Sequence, residues 1–230
     1  MLTERFERLN ALAQITSAAT YLEIGVEKGE TFKQVDIPYK VGVDPNFRFD
    51  VDALANERTI FHRVTSDVFF STLARAHGTF DLIYLDGLHT FEQTFRDFCA
   101  SLGFAHPKTI WLIDDTHPSD RLAANPDRRV TKVMRRLLRI RDGRWMGDVF
   151  KVVFAIHDYF PQFSYATFPD HGQTAVWPEA RKDFAPAWAS LGKIGRMGYG
   201  DFLRSRDSYL QITDSPKILD AVARVYSADR

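Results

Sequence analysis

Tyr21-Leu-Glu-Ile-Gly-Val-Glu-Lys-Gly-Glu-Thr31 is a short apolar run that breaks on two glycines. Gly25 and Gly29 permit a tight turn and let the backbone come close to a ligand. Thr31 and Gln34 have capping-box spacing, which predicts a helix over Thr31–Val35 whose free N–H groups favour an anionic group. The spacing is E-x-G-x-x-x-G, with Glu23 inside the strand, and not the G-x-G-x-x-G of dinucleotide enzymes. About twenty residues on, Val41-Gly-Val-Asp-Pro45 ends a second strand on Asp44, where such folds hold ribose hydroxyls. Each motif also has a plain reading: Gly25 as a turn residue, Glu23 as a surface acid, Asp44 as a turn acid before proline. Together, at this separation, they predict nucleoside binding.

Working outward, short apolar strands alternate with helical stretches. Strands are expected at Tyr21–Ile24, Lys40–Val43, Thr59–Val64, Phe80–Leu85 and Lys108–Ile113. Helices are expected at Thr31–Val35, Val51–Glu57, Val68–His77 and Thr90–Leu102, after a leading helix with Leu2, Phe6, Leu9 and Leu12 on one face. Alternation of this kind specifies βαβ units and a parallel sheet covered on both faces. After Asp115 comes a loop to Asp127, then an amphipathic helix carrying Val130, Val133, Met134, Leu137 and Leu138. Strands around Val149–Ile156 and Gln173–Trp177, with no evident helix between them, predict an antiparallel pair at the sheet end. The expected fold is a doubly wound, Rossmann-like α/β sheet of seven strands, mainly parallel with a terminal antiparallel strand. It forms one domain: leading helix 1–18, core sheet 19–178, and a C-terminal extension 179–230 with helical patches near Asp183–Leu191 and Ile218–Val225.

The E-x-G-x-x-x-G loop and the V-D-P strand end resemble the first two motifs of class I S-adenosylmethionine-dependent methyltransferases, and the likeness runs from about Tyr21 to Trp177. The chain resembles in particular methyltransferase family 24, the branch with an acidic D-G-x-H turn and a later D-D pair. That branch includes magnesium-dependent sugar O-methyltransferases. The resemblance implies that Glu23, Gly25 and Gly29 cradle the methionine part of the donor and that Asp44 holds its ribose. It places Ser66 and Asp67, in the stretch after the third strand, at the adenine. It also implies a seven-stranded sheet with the last strand inserted antiparallel.

Asp86-Gly-Leu-His89 follows the fourth strand and Asp114-Asp115 the fifth, so all should face one crevice at the carboxyl ends of the strands. Asp86, Asp114 and Asp115 suit a hard divalent ion such as Mg²⁺, which would hold an acceptor hydroxyl near the methyl donor and lower its pKa. His89 would then remove the proton, because imidazole titrates near neutrality. Asp86 would also border the cofactor. The structural reading stands beside this one: Asp86 and Asp114 satisfying turn N–H groups, and His89 merely preceding a helix capped by Thr90 and Gln93. Phe91, Phe95 and Phe98 form a helical stripe that reads as core.

Arg128, Arg129, Lys132, Arg135, Arg136, Arg139, Arg141 and Arg144 crowd one segment; such a run can attract an anionic substrate or a nucleic acid, and it is read here as a solvated helix face. Trp145-Met-Gly-Asp-Val-Phe-Lys151 resembles a stretch of the same branch and is expected to open the sixth strand, with an Asp148–Lys151 pair supporting the pocket. His117, Trp145, Tyr159 and His171 are weaker pocket candidates. Thirty basic residues balance thirty acidic ones, so no global field draws the chain to nucleic acid or membrane. The single cysteine, Cys99, excludes an intrachain disulfide and is expected to be a buried, inert thiol. The charged opening MLTERFERLN lacks the apolar core of a signal peptide, and no run reaches membrane-spanning length. A cytoplasmic enzyme acting on a small-molecule acceptor is therefore expected, with homo-oligomerisation left open. The alternatives are a nicotinamide-dependent oxidoreductase, disfavoured by the glycine spacing, and a non-catalytic nucleoside-binding module.

Overall fold

The computed structural model describes residues 2, 4–169, 172–182, 184–188 and 190–227. Helix α1 (Arg5–Thr16) precedes strands β1 (Thr20–Ile24), β2 (Tyr39–Val43) and β3 (Thr59–His62). The short α2 (Ser66–Val68) then widens into a π turn and a 3-10 turn that end at His77. Strand β4 (Phe80–Leu85), helix α3 (Phe91–Ser101), strand β5 (Ala105–Ile113), and helices α4 (Arg128–Leu137) and α5 (Lys151–Tyr159) follow. The chain continues through β6 (Ser164–Thr167), β7 (Thr174–Trp177), α6 (Leu191–Gly195), α7 (Tyr199–Tyr209) and α8 (Ser215–Ser227).

The seven strands form one sheet in the order β3-β2-β1-β4-β5-β7-β6. Strands β1 to β5 are parallel, and β7 runs antiparallel to both β5 and β6. The central strands β1, β4 and β5 are almost wholly buried along their apolar runs, as expected where helices cover both faces. One face packs Phe98, Trp111, Phe150 and Phe154 beneath α3, α5, α6 and α7. The other packs Leu9, Leu12, Leu112, Ile218 and Val222 beneath α1 and α8. Strand order reverses between β1 and β4, which opens the crevice at their carboxyl ends where ligands bind in such sheets. Among the described residues no helix is long and apolar enough to cross a membrane.

Several sequence expectations are corrected. Val149–Ile156, read as the sixth strand, lies mostly within α5, and the true sixth strand is Ser164–Thr167. Helix α5 buries Val152 to Ile156 without a break. A helix apolar all round has no 3.6-residue signature, and its valines and isoleucine imitate a buried strand. Trp145–Lys151 therefore opens a helix, not a strand. Thr31–Gln34 and Val51–Glu57 are turns. Gln34 donates its amide to the Glu30 carbonyl (2.8 Å) rather than closing a capping box, while Phe32, Val35 and Ile37 are buried without a helix to present them. Cys99 is exposed, because α3 turns Phe91, Thr94, Phe98 and Ser101 inward and leaves it outside. Helix α7 escaped the reading, and the helix expected at Asp183–Leu191 begins only at Leu191, with Asp183 outside the described residues.

Candidate active site

Gly25 sits at φ +93°, and a Cβ there would overlap the carbonyl of Asp86. This glycine therefore lets the β1 turn lie directly against the β4 turn, joining the two halves of the crevice. Gly29 donates its N–H to the Val26 carbonyl (2.7 Å), closing the loop against Phe49. The Asp44 carboxylate, at the end of β2, accepts from the backbone N–H of Glu27 (2.9 Å) and of Asn46 (2.6 Å). Asp44 thus fastens the glycine loop to the neighbouring strand and keeps further lone pairs on both oxygens. Glu23 is buried within β1, and its Oε2 accepts from the Tyr21 hydroxyl (2.6 Å). Burial pushes its carboxyl up to about 8, although Tyr21, Lys40 and Arg5 all pull it down.

A cavity of about 640 Å³ brings these residues to the acidic turn: Glu23, Gly25 and Asp44 line it together with Asp86, His89 and Trp145. That volume suits a nucleoside-sized ligand. Ser66 and Asp67 do not line this cavity. Instead the Gln93 amide bonds Ser66 (3.2 Å) and Asp67 (3.1 Å), and Arg96 pairs with Asp67, so both tie α2 to α3.

The acidic cluster divides in two. Asp114 faces Arg5 (2.8 Å) and the Tyr84 hydroxyl (3.0 Å), so the third carboxylate expected at a metal is turned toward α1. Asp86, His89 and Asp115 bring one donor atom each within 4.8 Å of one another. His89 Nδ1 meets Asp115, and its Nε2 lies 3.5 Å from Asp86 Oδ1. That Asp86 oxygen and Asp114 Oδ1 are buried and accept no hydrogen bond among the described residues. Two carboxylates, one of them with an orphaned buried oxygen, and an imidazole make a donor set that fits a divalent cation.

Burial and neighbouring acids raise Asp86 well above the ordinary carboxylate range and raise Asp114 as well. Burial alone would lower His89, but Asp115, Asp86 and Asp114 outweigh it and raise the imidazole to about 9. Titration near neutrality, expected from sequence, is thereby corrected: between two carboxylates His89 holds its proton at neutral pH.

Trp145 stacks on His89, with ring centroids 5.0 Å apart, and its indole N–H donates to the Asn125 carbonyl (2.7 Å). Gly147 (φ +62°) abuts the His89 carbonyl, where any Cβ would overlap the oxygen. Asp148 accepts from the Phe91 N–H (2.8 Å) at the start of α3 and pairs with Lys151 (2.7 Å), the ion pair expected from sequence. The Trp145–Lys151 segment is therefore the clamp that fixes His89. Arg5 was missed altogether; it lies off the apolar face of α1, and nothing in its local sequence signals a site. His117 packs on Phe202 and Tyr159 is exposed at the end of α5, both away from the cavity. Phe91 is core, and His171 lies outside the described residues.

Residues 22–116, which carry the glycine loop, Asp44, Asp86, His89 and both later aspartates, match the methyltransferase family 24 model, described as a methyltransferase domain. Over these residues the chain is similar to that methyltransferase domain. The fold is similar to that of solved methyltransferases. An O-methyltransferase from Bacillus cereus, solved with SAH, is similar at 17% identity and a TM-score of 0.53, over 77% of this chain and 84% of that one. A methyltransferase from Podospora anserina, also SAH-bound, is similar at 15% identity and a TM-score of 0.54, over 76% and 78%. No curated protein matches the sequence. The matched residues run from β1 to just beyond β5, and the later helices and β6–β7 complete the sheet and its cover.

Proposed function

We propose that this protein is a methyltransferase that moves the methyl group of S-adenosylmethionine to a hydroxyl of a small molecule, with a divalent cation such as Mg²⁺ assisting. One observation carries the reading: a single cavity is lined by the glycine-loop residues Glu23 and Gly25, by Asp44, and by Asp86 and His89. In this reading Glu23 receives the donor's ammonium and Asp44 its ribose hydroxyls through its remaining lone pairs. Asp86 and Asp115 would hold the cation with hard oxygen donors, and His89 lies within ligand reach of both. A bound cation there supplies a positive charge that lowers the pKa of the acceptor hydroxyl. His89 would act as the base in its neutral form, its imidazole accepting the hydroxyl proton as oxygen attacks the methyl carbon and sulfur departs. Trp145 and Gly147 keep that ring in place, and alignment supplies much of the rate.

The test is methyl transfer from labelled donor to a panel of sugars and other hydroxyl compounds, with and without EDTA. Turnover that stops with EDTA, returns with Mg²⁺, and vanishes in Asp115→Asn supports the reading. Full turnover in EDTA removes the cation and leaves the acids as positioning groups. Absence of transfer to any hydroxyl, with transfer to an amine or thiol instead, removes the hydroxyl.

A further inference from the structure

Two side chains of helix α4 hydrogen-bond to the body. The Thr131 hydroxyl donates to the Leu122 carbonyl (2.8 Å), and the Arg135 guanidinium donates to Asp120 (2.9 Å) and to the Arg144 carbonyl (3.1 Å). Both side chains are buried. The apolar stripe that the sequence shows is turned away from the core. Val133 is 56% exposed, Leu137 70% and Leu138 57%, and Val130, Met134 and Ile140 are exposed beside them. An apolar stripe this continuous marks an interaction surface rather than scattered surface residues.

The flank of the same helix is cationic. Arg129, Lys132, Arg136 and Arg139 are exposed and form no ion pair among the described residues. Arg129 and Arg136 lie one turn on either side of Val133, so the charge borders the stripe along its length. The chain's net charge of zero conceals this local segregation.

We propose that α4 docks the protein on an anionic lipid surface, with Val133 and Leu137 entering the headgroup layer and the flanking arginines meeting lipid phosphates. A short helix with an apolar face and a cationic flank has the physical character of an interfacial anchor. A second copy of the chain fits less well. Ten residues make a helix about 15 Å long, whose face buries on the order of 200–300 Å², against about 800 Å² per partner in a stable interface. Self-pairing would also bring two rows of arginine together. A nucleic acid would answer the charge but leave the apolar stripe in water. The helix begins beside the cavity, where Arg128 lies over the Trp145 ring, so docking sets the mouth near the lipid. The docking does not depend on the reaction assigned above.

Flotation of the full chain with phosphatidylcholine vesicles, with or without phosphatidylglycerol, tests this surface. The protein should float with the anionic vesicles, stay behind with the neutral ones, and dissociate as salt is raised. The double variant Val133→Asn, Leu137→Asn should lower partitioning about tenfold or more, and Arg129→Gln with Arg136→Gln should do the same. Thermal midpoint and donor affinity should be unchanged in both, which keeps this result separate from the catalytic one. Failure to float with anionic vesicles overturns the proposal, as does a double apolar variant that floats like the wild type. A concentration-dependent dimer that is lost in Leu137→Asn would assign the face to a second copy instead.

Discussion

The backbone of Gly147 lies against the carbonyl of His89 so closely that no side chain fits between them, while two residues earlier Trp145 stacks on the His89 ring. The segment after α4 therefore dictates where the imidazole stands, although the two residues are more than fifty positions apart in sequence. Gly147→Ala forces both a clash with backbone and a side chain at φ +62°. We expect a loss of about 2–3 kcal/mol of stability, and in the folded fraction a fall in kcat of tenfold or more with donor affinity nearly unchanged. Chemical denaturation and steady-state kinetics at low temperature check both.

His89 makes the stability of the metal-free protein depend on alkaline pH. Its folded pKa of about 9 exceeds the ordinary value of about 6.5. The stabilisation from its contacts with Asp86 and Asp115 is therefore complete below about pH 6.5 and lost as pH rises through about 9. Replacing it by Phe, which preserves a ring against Trp145, should lower the thermal midpoint at pH 6. The difference from wild type should shrink by pH 10. A constant difference across that range would show that His89 contributes no proton-linked stability.

Much of this arrangement was legible in the sequence, for identifiable reasons. Strands β1, β2, β4 and β5 stood out because short apolar runs end on glycine or aspartate, and those endings surround the candidate site. The acids at Asp44, Asp86 and Asp115 were visible because strand ends in a parallel sheet converge. Other parts were hidden by packing. Helix α5 is buried on every side and so lost its period. Thr31–Gln34 has the letters of a capping box but is a turn whose apolar residues reach the core unaided. The partition of Asp114 toward Arg5 depends on where α1 lands, which no local pattern encodes. The same holds for Gly147 against His89, a contact made by two loops from different sheet connections.

Asp81 carries a structural charge at the opposite end of the sheet. Its Oδ2 accepts from the N–H groups of Ala19 and Thr20 and from the Thr20 hydroxyl, each at 2.8 Å, and His106 meets its Oδ1 at 2.9 Å. Burial pushes its pKa up, but these hydrogen bonds outweigh it and hold the carboxyl below its ordinary value. Its stabilisation is present above the unfolded pKa of about 3.9 and disappears as pH falls through the depressed folded value. Asp81→Ala should cost about 2 kcal/mol at pH 7, and urea denaturation should show the gap closing toward pH 3. Activity per folded molecule should be unaltered.

Calorimetric titration with S-adenosylmethionine tests the central claim, that the Glu23–Gly25–Asp44 end of the cavity is the donor site. The account predicts saturable binding, weakened about tenfold or more in Asp44→Asn, equivalent to about 1.5–3 kcal/mol of lost hydrogen bonding. It also predicts proton release at pH 7, seen as a dependence of the heat on buffer ionisation, because Glu23 is raised to about 8 and ionises when the ammonium arrives. Saturable binding of NAD with no response to S-adenosylmethionine, or donor binding indifferent to Asp44, would contradict it.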